Sequence, residues 1–146
     1  MEYSQCNIDR VFVVRFDHGD DLLAGLTTLI KKEDIRAGLV HFVGALERAQ
    51  IVVGPEKVEV PPVPMWRNFA DGREVLGLGT IFWKGDEPKI HIHSGIGRDD
   101  AVNLGCIRKD AKVYLTIEAI ILELKDPSVK RQFDEKTKLD LLKFKV

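Results

Sequence analysis

The chain reads as an α+β protein, a mostly antiparallel sheet with one main amphipathic helix packed on it. Long stretches alternate apolar and polar residues with a period of two, as strands with one buried face do. Only residues 20–33 place apolar residues at helical spacing. Strands and helices do not alternate along the chain, so a doubly wound parallel sheet is not expected. At 146 residues the chain makes one domain, residues 1–146, long enough to bury a core.

The first strand runs from Arg10 to Asp17, with Val11, Val13 and Arg15 on one face and Phe12, Val14 and Phe16 on the other. Asp17-His18-Gly19 ends it, and Asp20 or Asp21 caps the helix. Leu22, Leu23, Leu26, Leu29 and Ile30 form the helix's apolar stripe; acidic residues at its start and Lys31-Lys32 at its end suit the helix dipole. Ile35 to Val53 is rich in β-branched and aromatic residues and reads as one long strand or two short ones. Within it Gly44-Ala45 marks a bulge or a close approach, and His41 reads as a half-buried strand histidine with a local hydrogen bond.

Residues 54–72 are broken by Pro55, Pro61, Pro62 and Pro64, and proline cannot serve a central strand. A short edge strand is expected at Lys57 to Val60. Met65, Trp66 and Phe69 are too apolar to leave in water. The segment should therefore dock on its own sheet or on a neighbouring subunit, or cover a site as a lid. Glu74 to Lys84 is the next strand, and Gly85-Asp86-Glu87-Pro88 turns it into an antiparallel hairpin with the strand that follows.

Ser94 to Asn103 reads as a polar, Gly-containing loop, and Lys109 to Lys112 as a polar connection into an apolar strand, Val113 to Leu124, closed by Pro127. On that strand Val113, Leu115, Ile117, Ala119 and Ile121 share a face, while Thr116 and Glu118 interrupt the other. Leu139, Leu141 and Phe144 suggest a last edge strand or an extended arm.

Composition removes several classes of function. The formal net charge is −1, with Lys and Arg interleaved with Asp and Glu, so the chain as a whole has no electrostatic footprint for nucleic acid or an anionic membrane. No apolar run approaches the roughly 18 residues of a membrane helix. The stretch Met1 to Gln5 carries neither a basic region nor an apolar run, which makes the cytoplasm the expected compartment. Glycine-rich phosphate loops, the serine-hydrolase elbow and the H-E-x-x-H pair are all missing from the sequence. The two cysteines, Cys6 and Cys106, lie far apart; a single disulfide stays open, but a reducing compartment favours a buried thiol, a ligand or a nucleophile.

The stretch that carries chemistry is Lys89-Ile90-His91-Ile92-His93-Ser94, followed by Leu104-Gly105-Cys106. In a strand His91 and His93 point one way and Ile90 and Ile92 the other, with the imidazoles about 7 Å apart at their bases, close enough to share one ion. Cys106, delivered by a returning loop, is a third candidate ligand. Two neutral imidazoles and a thiolate suit zinc better than magnesium or calcium, and three protein ligands leave the fourth tetrahedral position open. The plainer alternatives are a solvated histidine pair and a small buried Cys106. Glu118, a carboxylate halfway along an apolar strand, needs a partner or water. It could orient a ligand histidine, act as a base beside a metal-bound water, or face solvent at a subunit boundary.

Several of these pieces, in this order, resemble one family. They are Arg15-Phe16-Asp17-His18-Gly19-Asp20-Asp21-Leu22 leading into the helix, Ile35-Arg36-Ala37-Gly38, Val43-Gly44-Ala45-Leu46, His91-Ile92-His93, Gly105-Cys106 and Phe133-Asp134-Glu135. They look like the PPC (plants and prokaryotes conserved) domain, in its stand-alone prokaryotic form. The resemblance implies an antiparallel α+β domain assembled as a homotrimer. Plant members carry an AT-hook and act in transcription, and prokaryotic members are often described as DNA-binding by that analogy. This chain has no Arg-Gly-Arg-Pro core. Prokaryotic members resemble a metal site built from the two histidines of His-x-His and a histidine after Gly-Gly; the matching positions here are His91, His93 and Cys106, with Leu104-Gly105-Cys106 where Gly-Gly-His is usual. Two readings follow. One is a trimeric, zinc-binding protein with an interaction or regulatory role, DNA-associated only by analogy. The other is a zinc-dependent enzyme of hydrolytic type, with Glu118 as base.

Overall fold

The computed structural model describes residues 1–125 and 128–144. Pro127, read from the sequence as the end of a strand, lies outside the described residues. The remaining chain is eight strands and one helix: β1 (Asn7–Asp17), α1 (Leu22–Lys32), β2 (Ala37–Pro55), β3 (Pro64–Phe69), β4 (Arg73–Lys84), β5 (Glu87–Arg98), β6 (Ala101–Lys125), β7 (Val129–Asp134) and β8 (Leu139–Phe144). The expected α+β class, with a mostly antiparallel sheet and one helix, is what the chain forms.

The main sheet has the order β1-β6-β5-β4-β2-β3, and β6 also pairs with β2, so that β2, β4, β5 and β6 close on one another. Strand β6 makes this possible. Its start pairs with β5, as in His93 with Cys106; its middle crosses to β2; its end pairs with β1. The polar stretches expected as loops at residues 94–103 and 109–112 are instead strand, because their backbone groups find partners on β5 and β2. Only Asp99 and Asp100 turn between β5 and β6. At Asp110 and Leu115 φ is 52° and 58°, and the register with β2 slips at several points, so β6 bends without breaking. That bend corrects the expected apolar face. Val113, Ile117, Ala119 and Ile121 are buried, but Leu115 is turned out to solvent. His18 holds the bend by accepting a hydrogen bond from the Leu115 N–H at 3.2 Å.

Helix α1 begins where Asp21 caps it, accepting from the Ala24 N–H at 2.8 Å. Leu22, Leu26 and Ile30 are fully buried and seal one side of the core against Val113, Ile117 and Ile121 of β6. Phe16 of β1 lies against Gly25, where a side chain would collide with its ring.

Strand β2 is one continuous strand, with the expected irregularity at Gly44-Ala45. His41 is exposed on it rather than half-buried. The edge strand falls at Pro64–Phe69, not at Lys57 to Val60, because Phe69 buries itself and brings Arg67 and Trp66 into register with β2. Residues 139–144 do not extend the main sheet; β8 pairs with β7 in a separate two-stranded hairpin.

Gly44 carries the closure between β2 and β6. Its φ is +140°, and a Cβ there would strike the Thr116 carbonyl oxygen and lie 2.8 Å from Ile117 Cα. Gly44→Ala is expected to lower stability by about 3 kcal/mol or more, since a strained dihedral and a backbone collision add. The shift in urea midpoint against wild type measures it.

Candidate metal centre

Strand alternation places the site. Along β5, Ile90, Ile92 and Ser94 turn toward the interior, while Lys89, His91 and His93 turn outward. Antiparallel pairing then sets Cys106 of β6 directly opposite His93. The ligand atoms of His91, His93 and Cys106 all lie within 4.8 Å of one another. The two Nε2 atoms are 3.1 Å apart, with ring planes at 86°. The structure thus brings together the three residues singled out by the sequence, though a strand rather than a loop delivers the thiol.

The donors differ in exposure. The histidines are open to solvent, whereas Cys106 is 4% exposed and both cysteines are free thiols. Burial pushes the Cys106 thiol above its ordinary value, against the smaller opposing pull of Arg108 and of a backbone hydrogen bond at Ile92. Loss of water lowers the His91 pKa, and the charges of His93, Arg131 and Arg108 lower it further. A neutral imidazole is the form that binds metal. Two imidazole nitrogens facing each other at hydrogen-bond distance, with a thiol alongside, form a soft N,N,S set that fits zinc.

Glu118 is not part of this cluster. It is exposed on β6 in a row that runs Arg15, Glu118, Val43, Leu76, Gly95, Leu104 across the sheet, so β2 and β4 stand between it and β5. It lines a shallow groove of about 470 Å³ with Arg15 and His41.

A larger groove of about 700 Å³ opens beside His91. It is bounded by β4, β5, β6 and the β7–β8 hairpin and carries Lys84, Lys89, Arg108, Arg131 and Lys138, with Asp140 as the carboxylate among its lining residues. The sequence did not signal this groove. Its cations come from separate elements and sit at no motif spacing. Only the hairpin's docking on β4, through Lys84 to Asp140 at 2.6 Å and Arg131 to Thr80 at 3.2 Å, gathers them.

Residues 3–125 match the family model described as the Plants and Prokaryotes Conserved (PCC) domain. No curated protein matches the chain. Among solved structures, the chain is similar to a metal-containing protein of Archaeoglobus fulgidus, with 26% identity, TM-score 0.83, and 97% of this chain and 98% of that one covered. It is similar to a plant- and prokaryote-conserved protein of Pyrococcus horikoshii, with 21% identity, TM-score 0.83 and full coverage of both chains. It also shares its fold with a protein of Bacteroides thetaiotaomicron described as a candidate DNA-binding protein, at 16% identity, TM-score 0.80, and 97% and 99% coverage.

The contrast in exposure between the two thiols has a direct chemical readout. In metal-free protein at pH 7, iodoacetamide should modify the half-buried Cys6 and spare Cys106. Modification of Cys106 should rise as pH rises toward its elevated pKa, because the thiolate is the reactive form. Peptide mass mapping at several pH values measures both.

Proposed function

The chain belongs to the Plants and Prokaryotes Conserved domain family, and from that membership we propose that it is a zinc-binding homotrimer with an interaction or regulatory role. The observation that carries the metal reading is the convergence of His91, His93 and Cys106 within 4.8 Å. His91 and His93 would hold the ion from the outer face of β5, and Cys106 would supply a thiolate from β6. The metal-containing relative from Archaeoglobus fulgidus supports the same reading. Zinc here would brace the β5–β6 pair and offer a Lewis-acidic position to whatever reaches it.

The trimer is supported by the outer face of the sheet. Val13, Ile120, His41, Leu78 and His93 form one row across paired strands, and Val43, Leu76 and Leu104 stand in the next. Val13 is 84%, Leu76 67% and Leu78 61% exposed. Exposed apolar side chains grouped in this way, with His41, Arg15 and Glu118 among them, mark an interaction surface, and self-association covers it without another partner. His93 stands in the first row, with Cys106 opposite it on β6, so the proposed metal centre borders the proposed interface. DNA association finds no support in a net charge of −1. A hydrolytic reading with Glu118 as base is disfavoured by the two strands that separate it from β5. No helix among the described residues is long and apolar enough to cross a membrane. Both cysteines being free accords with a reducing compartment such as the cytoplasm.

Elemental analysis of the purified chain should give about one zinc per chain, with His93→Ala and Cys106→Ala each losing most of it. A wild type that contains no zinc and takes up none on addition overturns the metal reading. Light scattering should give three times the chain mass, and Leu76→Asp should shift it toward one, because a carboxylate buried in an apolar interface has no partner. A wild-type monomer overturns the trimer.

A further inference from the structure

We propose that the groove between His91 and the β7–β8 hairpin binds a small organic anion through a phosphate or carboxylate group. Arg131 is the central observation. Its Nη1 and Nη2 donate to the Asp140 carbonyl at 2.8 Å and to Thr80 Oγ1 at 3.2 Å, both neutral acceptors. Its Nε is buried and makes no hydrogen bond among the described residues. A half-buried guanidinium whose described hydrogen bonds go only to neutral acceptors keeps its charge and its remaining Nη protons for an anion in the groove. Arg108 and Lys89 line the same groove without an ion pair among the described residues. Lys84 and Lys138 are held by Asp140 and Glu135. Positive charge is thus concentrated here in a chain whose net charge is −1.

The rest of the lining argues for a small molecule rather than a nucleic-acid backbone. Ile90, Phe133, Leu139, Leu141 and Leu142 give the groove apolar walls, suited to a carbon skeleton with its charged group at the arginines. His91 opens into the groove at one end, so a bound anion would lie against the proposed metal centre. Anion binding by the arginines does not require the metal. The hairpin lies wholly beyond residue 125, outside the residues matched by the family model.

Inorganic phosphate titrated calorimetrically into the full chain, as purified and again after zinc removal by a chelator, tests this. Saturable binding is expected in both forms. Arg131→Gln and Arg108→Gln should each weaken it by at least about tenfold, the loss of one charge-assisted contact, while Lys57→Gln, exposed and outside the groove, leaves it unchanged. Arg131 also anchors the hairpin, so its variant's urea midpoint is measured alongside; Arg108 makes no described hydrogen bond, and its variant tests the groove without that complication. No saturable binding, or binding indifferent to both arginine variants, overturns the proposal. So does binding that disappears with zinc yet survives both variants, which would make phosphate a metal ligand only. Arg108-dependent binding of a DNA duplex without phosphate binding would assign the groove to nucleic acid and overturn it as well. Zinc content is read separately, so a chain that binds phosphate and no zinc would sink the metal reading and leave the groove standing.

Discussion

The passage of β6 beside β2 at Gly44 is the constraint on which the rest of the structure depends. One strand of 25 residues must serve β5, then β2, then β1. A straight strand cannot do this, because each neighbour lies in a different direction. The chain solves the problem with local left-handed backbone at Asp110 and Leu115 on one strand and a glycine with φ +140° on the other. Aspartate visits that region at low cost, whereas leucine does not. The Leu115 conformation is therefore held from outside, by the His18 ring that accepts from its N–H and by Tyr114 packed edge-on against that ring. Once β6 is bent in this way, its first residues swing back alongside β5, and Cys106 comes to rest opposite His93. The candidate metal centre is thus a consequence of how the sheet closes.

The two faces of the sheet divide the work. Inward residues such as Val40, Ile81, Ile92 and Ile121 form the core with the helix. The outward face carries exposed Val13, Val43, Leu76, Leu78 and Leu104 beside its polar residues, and His93 stands in the same row as Leu78. A metal held there would tie β5 to β6 and fix the edge of that face. Cysteine in the third position matters for this balance. A buried thiol resists ionising, so the free site carries no net charge into the interior; binding of a soft cation would supply the compensation that makes the thiolate stable.

Much of this was legible in the chain. Period-two alternation set β1, β4 and β5 and the shared direction of both histidines, because one buried face leaves a period-two pattern. Leu22, Leu26 and Ile30 announced the helix, and Gly44-Ala45 its irregular crossing point. Strands β5 and β6 were read in pieces because the polar stretches Ser94 to Asn103 and Lys109 to Lys112 owe their strand geometry to partners on other strands. Leu115 was misplaced for the same reason: a bulge inverts the alternation, and bulges that are not glycine have no local signature. The edge strand slid from Lys57–Val60 to Pro64–Phe69 because burial of Phe69 outweighs the proline at its start, which needs no amide donor at an edge. The proximity of His91 and His93 was readable from spacing, while the basic groove was not, since its cations come together only when the hairpin docks.

That docking has an energetic logic. A two-stranded hairpin is marginal by itself in water, and β7–β8 gains its position from β4 through Lys84–Asp140 and Arg131–Thr80. Asp140 neutralises Lys84 and so removes one cation from the groove's free charge. Arg131 is spent differently. It reaches Thr80 and the Asp140 carbonyl with its two terminal nitrogens, which fixes the hairpin without cancelling the guanidinium charge. A carboxylate partner would have held the hairpin more firmly and filled the groove's most buried donor. Neutral acceptors instead leave a positive charge, lowered in its proton affinity by burial, between the hairpin and His91. The same contacts that dock the hairpin therefore keep charge in reserve, and they keep it beside His91, where two imidazoles and a thiol converge.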